Sequence, residues 1–198
     1  MARVLVACEY SGVVREAFRK QGHDAWSCDL LPSDDGSPNH YTCDMCAVVG
    51  RRWDLLIAHP PCTYLCSSGL HWNKRMPGRA YMTEAAIVFV KWISELDIPR
   101  IAIENPIGCL STRFRKPDQI IQPWQFGHPE SKATCLWLKN LPKLEPTNVL
   151  PKPASGRWEN QTASGQNKLG PSADRWKIRS RTYQGIADAL AEQYGKLL

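Results

Sequence analysis

Residues 53–62 read WDLLIAHPPC, and the order of residue types in this stretch decides how the rest of the chain can be arranged. Leu55 to Ala58 is a continuous apolar run, too short for a helix and without the alternation of a strand that shows one face to water. Such a run fits a strand buried on both faces, as in a parallel sheet covered by helices. Pro60 and Pro61 must then end the element, because proline lacks an amide donor and forces the residue before it into extended geometry. The strand therefore ends near His59 and delivers Cys62 to a defined place just beyond its tip.

Working outward, the same pattern recurs. RVLVAC (3–8) is a short run rich in β-branched residues, followed by a turn-like EYSG (9–12) and by VVREAFRKQG, which has helical spacing and stops at Gly22. HDAWSCDL (23–30) fits a strand ending at Asp29, and RIAIENP (100–106) fits one ending at Glu104. Met82, Ala86, Phe89, Ile93 and Leu96 recur at helical intervals and predict a crossover helix between parallel strands. KATCLWLKNL (132–141) reads as a further strand, and Tyr183, Ile186, Leu190, Tyr194 and Leu197 mark the apolar face of a closing helix. The alternation predicts an α/β fold, a mostly parallel Rossmann-like sheet flanked by helices, whose ligands bind at the carboxyl ends of the strands. Cys8 to Gly12, Asp29, Asp44, Cys62 and Glu104 all fall at such ends. The stretches 31–40 and 151–175 are rich in Pro, Gly, Ser and Asn and read as loops.

With 198 residues and 43% hydrophobic content, residues 1–198 suit a single domain. No run approaches the length of a membrane span and nothing marks export, so the expectation is a soluble, cytoplasmic protein without membrane contact. The eight cysteines are then expected to be reduced. The net charge of +6 is unevenly placed: between Pro151 and Thr182 seven Lys and Arg face only Glu159 and Asp174. That segment reads either as a surface for phosphates, with Trp158 and Trp176 for stacking, or as a solvated loop.

HPPC at 59–62, with ENP at 104–106 beginning 42 residues after the cysteine, resembles the Pro-Pro-Cys and Glu-Asn motifs of the cytosine-5 DNA methyltransferases. The resemblance covers about residues 3 to 140 and extends loosely to the closing helix. It implies a class I S-adenosylmethionine-dependent fold and methyl transfer to cytosine C5 through a covalent cysteine adduct. Cys62 would add to carbon 6 of the ring, because carbon 5 is a poor nucleophile until a thiolate pushes electrons onto it. Glu104 would protonate the ring nitrogen N3, with Asn105 and Pro106 shaping the turn.

The resemblance also implies S-adenosylmethionine as cofactor. Cys8, Glu9, Tyr10, Ser11 and Gly12 would approach its methionine part, Asp29 its ribose and Asp44 its adenine amine, with Pro60 beside it. Cytosine-containing DNA is the implied partner, its base flipped into the pocket. Only the basic loop 151–180 stands where the family carries a target-recognition region, so a partner subunit for target recognition is a further expectation. Lys132 is the one cation where the family has an arginine-rich motif. In the loop after Cys62, Ser67-Ser68-Gly69 reads as a hinge, Lys74, Arg75 and Arg79 as phosphate contacts, and His71 or Trp72 as a filler of the base stack. His59 is expected only to line the pocket, and no histidine is assigned a catalytic task.

Four other readings compete. Cys43-x2-Cys46 with Cys62-x3-Cys66 could hold zinc, although no metal site is expected. Cys62 alone could be an inert core thiol. The thiol and acid could act on a free pyrimidine nucleotide, or the chain could be a non-catalytic nucleic-acid-binding relative.

Overall fold

The computed structural model describes residues 1–165 and 167–198. From the N-terminus the chain forms β1 (Arg3–Ala7), α1 (Val13–Lys20), β2 (Asp24–Asp29), β3 (His40–Thr42), β4 (Leu55–Ala58), α2 (Ser67–Leu70) and α3 (Arg79–Glu95). It continues through β5 (Arg100–Pro106), α4 (Leu110–Arg113), β6 (Gln119–Ile121), β7 (Thr134–Lys139), α5 (Arg175–Ser180) and α6 (Gln184–Gly195). The strands make one seven-stranded sheet in the order β3-β2-β1-β4-β5-β7-β6. All neighbours from β3 to β5 are parallel, while β7 runs antiparallel to both β5 and β6. Strand order reverses between β1 and β4, the place where an open α/β sheet leaves a crevice at its carboxyl edge.

The side-chain period of two splits each central strand between two cores. Val4, Val6, Leu55 and Ile57 face α1 and α6, where they meet Phe18, Leu190 and Tyr194. Leu5, Ala7, Leu56, Ala58, Ile101 and Ile103 face the other way, against Ile87, Val90 and Ile93 of α3. The four residues of β4 are buried throughout, as a strand covered on both faces must be.

Several elements differ from the sequence-based expectation. α3 packs on the sheet through Thr83, Ile87, Val90 and Ile93, one position round from the Met82–Ala86–Phe89 stripe. That stripe instead lines a cavity, so the helix carries two apolar faces. β5 runs two residues past Glu104, because Asn105 and Pro106 still pair with Cys135 and Thr134 of β7. Strands β3 and β6 have three residues each, too few for a periodicity to show. The basic stretch 151–180 is not loop throughout, since it closes with α5.

Candidate active site at the carboxyl edge of the sheet

Register explains how the rim is built. Ala7 lies opposite Cys28 and Ala58, and Ala58 lies opposite Ile103. The next residue along each strand is Cys8, Asp29, His59 or Glu104, so parallel pairing alone brings these four side chains to one level.

On the β1–β2 side lies a cavity of about 320 Å³ whose lining includes Cys8, Asp29, Asp44, Pro60, Pro61 and Tyr64. Asp29 is fixed by accepting a 2.9 Å bond from the Leu31 amide, and Asp44 by a 2.8 Å bond from the Cys46 amide. That amide also holds the Asp44 carboxyl below its ordinary range. The opposite wall is apolar, formed by Leu30, Met45, Met82, Ala86 and Phe89. Two acceptor carboxylates facing an apolar slab suit a ligand that combines hydroxyl or amine donors with a flat ring, and the volume falls in the range of small-molecule sites.

Of the other residues singled out in the EYSG turn, none lines this cavity. Glu9 is 5% exposed and turned back under α1, accepting from the amides of Val14 at 2.8 Å and Arg15 at 3.3 Å and from Ser11 Oγ at 3.3 Å. It therefore caps the helix, meeting amide donors that no residue further back along the helix can reach. Tyr10 sends its hydroxyl to α5, 3.2 Å from Ser180 Oγ and 3.3 Å from the Lys177 carbonyl. Gly12 turns the chain with φ 72°, and a side chain there would collide with the buried Arg15 guanidinium.

The β4–β5 side holds the thiols and the second acid. Asn105, 2% exposed, donates through Nδ2 to the Pro60 carbonyl at 2.7 Å and so ties the tip of β5 to the double-proline turn. Cys62 opens a helical turn, its carbonyl accepting from Leu65 at 3.0 Å and Cys66 at 2.9 Å. This turn lies against the segment after β5: Ser67 donates to Ile107, Cys109 donates to Leu65, and a side chain at Gly108 would strike the Leu65 carbonyl. Arg79 is committed here as well, donating to the Thr63 carbonyl at 2.9 Å and sitting over the Tyr64 ring, so its first task is to hold the cysteine turn.

The turn brings the thiols of Cys62 and Cys66 together. A hydrogen bond from Cys62, partly offset by burial and reinforced by Ser68 and Arg179, lowers the Cys66 pKa to about 5, while the same bond raises that of Cys62. The two share their protons, and the first leaves far below the ordinary thiol range. By contrast, Cys8 is pushed up to about 12 by burial and by the charges of Asp29 and Asp44.

Glu104 lies beside this pair. Its Oε2 is 3.0 Å from His59 Nδ1. Burial alone would raise the Glu104 pKa, but the bond to and charge of His59, with Lys132 and Thr134, bring it below its ordinary value. The side chain remains 24% exposed, so a ligand can reach it. The His59 contact is the feature the sequence reading missed. The available signal was the pairing of WDLLIAHP with RIAIENP, which sets a histidine opposite a glutamate once the register is known.

All eight cysteines are free, and among the described residues no three or more His, Cys, Asp or Glu side chains converge as metal ligands would. The zinc alternative is not assembled: Cys43 Sγ faces Cys28 Sγ at 3.9 Å, while Cys62 is paired with Cys66. The basic segment divides. Trp158 is buried and stacked on Trp124, whereas Trp176 is 50% exposed on α5, beside Tyr10. Lys132 Nζ holds this segment in place through the Arg179 carbonyl at 2.7 Å. No described helix is long and apolar enough to cross a membrane.

Among solved structures, the chain is similar to an E. coli protein described as a DNA modification methyltransferase encoded within a prophage. The two share 14% identity at a TM-score of 0.53, over 76% of this chain and 52% of that one. The fold is that of the class I methyltransferases. The Dnmt2 methyltransferase of S. pombe is also similar, at 16% identity and a TM-score of 0.45, over 72% of this chain and 51% of that one. The chain thus spans about half the length of either protein. No protein-family model and no curated protein matches it.

Proposed function

We propose that this chain is an S-adenosylmethionine-dependent methyltransferase that acts on carbon 5 of cytosine in DNA. The reading rests on one observation above the others: a thiol pair, Cys62 and Cys66, and a reachable carboxyl, Glu104, occupy adjacent parallel strand tips locked together by the Asn105–Pro60 bond. Cys62 Sγ is the nucleophile. Cys66, the thiolate of the pair at neutral pH, takes the Cys62 proton as base, and the Cys62 sulfur bonds to carbon 6 of the ring. Glu104 meets the charge that this addition drives onto N3. The cofactor supplies an electrophilic methyl group when bound, and Asp29, Asp44 and the apolar wall of the neighbouring cavity are the residues that would hold it.

DNA as the substrate is supported by the basic segment, which carries exposed Trp176 and Ile178 on α5 and reaches the Cys66 thiol electrostatically through Arg179. The structural similarity to a DNA modification methyltransferase adds support at the level of the fold. The test is incubation with methyl-labelled S-adenosylmethionine and DNA, followed by nucleoside analysis. Label in 5-methylcytosine is expected. Bound cofactor with no methylated cytosine in any single- or double-stranded substrate would sink the substrate assignment.

A further inference from the structure

His59 has an environment that pocket lining does not require. It sits between two acids, Glu104 at the tip of β5 and Glu9 beyond β1, and Lys132 before β7 is the cation that faces it. Its side chain is only 11% exposed, and one ring nitrogen is committed to Glu104 while Nε2 is buried without a partner among the described residues. A buried histidine that served only to pack would be expected to satisfy both nitrogens, since leaving one unpaired carries a desolvation cost.

We infer that His59 is the positioning residue of Glu104: its Nδ1 fixes Oε2 of the carboxyl, and its imidazole stores the proton that Glu104 passes to the base. The inference rests on the cytosine reading given above. Supporting it, burial alone would depress the His59 pKa, but the hydrogen bond and charge of Glu104, with the charge of Glu9, outweigh both burial and Lys132 and raise it above 6.5. Both shifts favour imidazolium beside carboxylate before reaction.

The Sγ–C6 bond forms, the C5=C6 electron pair shifts to C4=C5, and the C4=N3 π pair localises on N3. N3 takes the proton that has moved from Nδ1 to the Glu104 carboxyl, leaving neutral imidazole and carboxylate. After methyl transfer the C5 proton leaves to water, its electron pair re-forms C5=C6 as the C6–Sγ bond breaks, and N3 returns its proton by the same route.

Asparagine keeps an N–H near the position of Nδ1 and cannot titrate, so His59→Asn separates holding from storing. It is expected to leave KM for DNA and cofactor nearly unchanged, to lower kcat about tenfold or more, and to move the alkaline fall of kcat down by about one pH unit or more. Wild-type kcat and an unchanged pH profile would overturn the inference. Should that variant not fold, NMR titration of His59 in the wild type and in Glu104→Gln decides instead. Loss of the carboxylate is expected to lower the imidazole pKa, and an unchanged titration would overturn the inference. The failures are distinguishable: wild-type protein that methylates no cytosine removes the underlying reading and the inference with it. Active wild type with an indifferent His59→Asn removes the inference alone.

Discussion

The two halves of the rim use the same residue types to opposite ends. On the β1 side, Glu9 is fully enclosed and bonded to backbone amides of α1, and burial raises its pKa above 4.5 despite His59 and Arg15. On the β5 side, Glu104 overcomes burial through His59 and stays below 4.5. The thiols follow suit, with Cys8 pushed up to about 12 and Cys66 brought down to about 5. What separates them is the kind of partner. A carboxyl tied to fixed amides holds a helix, whereas one tied to a titratable ring can exchange a proton.

The sharpest way to break this contrast is to remove the proposed nucleophile. Cys62→Ala is expected to lower methyl transfer by roughly 10⁴-fold or more while cofactor binding by calorimetry is retained. Full activity would end the proposed mechanism. The acids come next. Glu104→Gln is expected to reduce kcat by about 10²-fold or more, with little change in Tm at alkaline pH, where His59 has lost its proton. Glu9→Gln should do the reverse, costing about 1 kcal/mol of stability through its weakened bonds to α1 while kcat stays within about twofold. If both substitutions acted on the same quantity, the division of the rim would be wrong.

The pH dependence of stability should carry opposite signs on the two sides. A carboxyl held below 4.5 favours folding above that value, and the benefit is lost as pH falls through the lowered pKa. His59, raised above 6.5, favours folding below that value and loses the benefit as pH climbs through its raised pKa. The stability difference between wild type and Glu104→Gln is therefore expected to be greatest between 4.5 and 6.5 and to shrink on either side. Glu9, raised above 4.5, contributes below that pH and less above it, so Glu9→Gln should gain relative to wild type as pH rises. Chemical denaturation of the three proteins across this range would show it.

Much of this arrangement was legible in the sequence because it follows from short-range patterns. The apolar run 55–58 ends at two prolines, and Ile101 to Ile103 ends at Glu104, so both strand tips could be placed without coordinates. What could not be read depends on register and on which way a side chain turns. His59 meets Glu104 only because Ala58 pairs with Ile103. Met82 and Phe89 look like a core stripe by spacing, yet Thr83, Ile87 and Val90 are what face the sheet. Trp158 and Trp176 both stand in a basic stretch, and only tertiary packing decides that the first is buried and the second exposed. The pairing of Cys62 with Cys66 was visible as a four-residue spacing, but whether it served a metal or a shared proton needed the helical turn that starts at the Cys62 carbonyl.

That turn supplies the finest test of the comparison, because it concerns protons rather than bonds to substrate. In the wild type, thiolate reactivity on the β5 side should rise with pH through a midpoint near 5, as the pair loses its first proton. Cys66→Ser leaves Cys62 with a hydroxyl neighbour that cannot ionise in this range, so the shared proton disappears from the pair. Alkylation of Cys62 by iodoacetamide, followed by mass spectrometry, is then expected to show its midpoint moving down toward the ordinary thiol value of 9.0, because the neighbour that raised it is gone. At neutral pH Cys62 is then more readily ionised but has lost the thiolate that accepts its proton, and these changes oppose each other, so the loss in kcat should be smaller than that caused by either Cys62→Ala or Glu104→Gln. A midpoint unchanged in Cys66→Ser would mean that Cys62 owes nothing to its neighbour and that its activation comes from the substrate side of the rim.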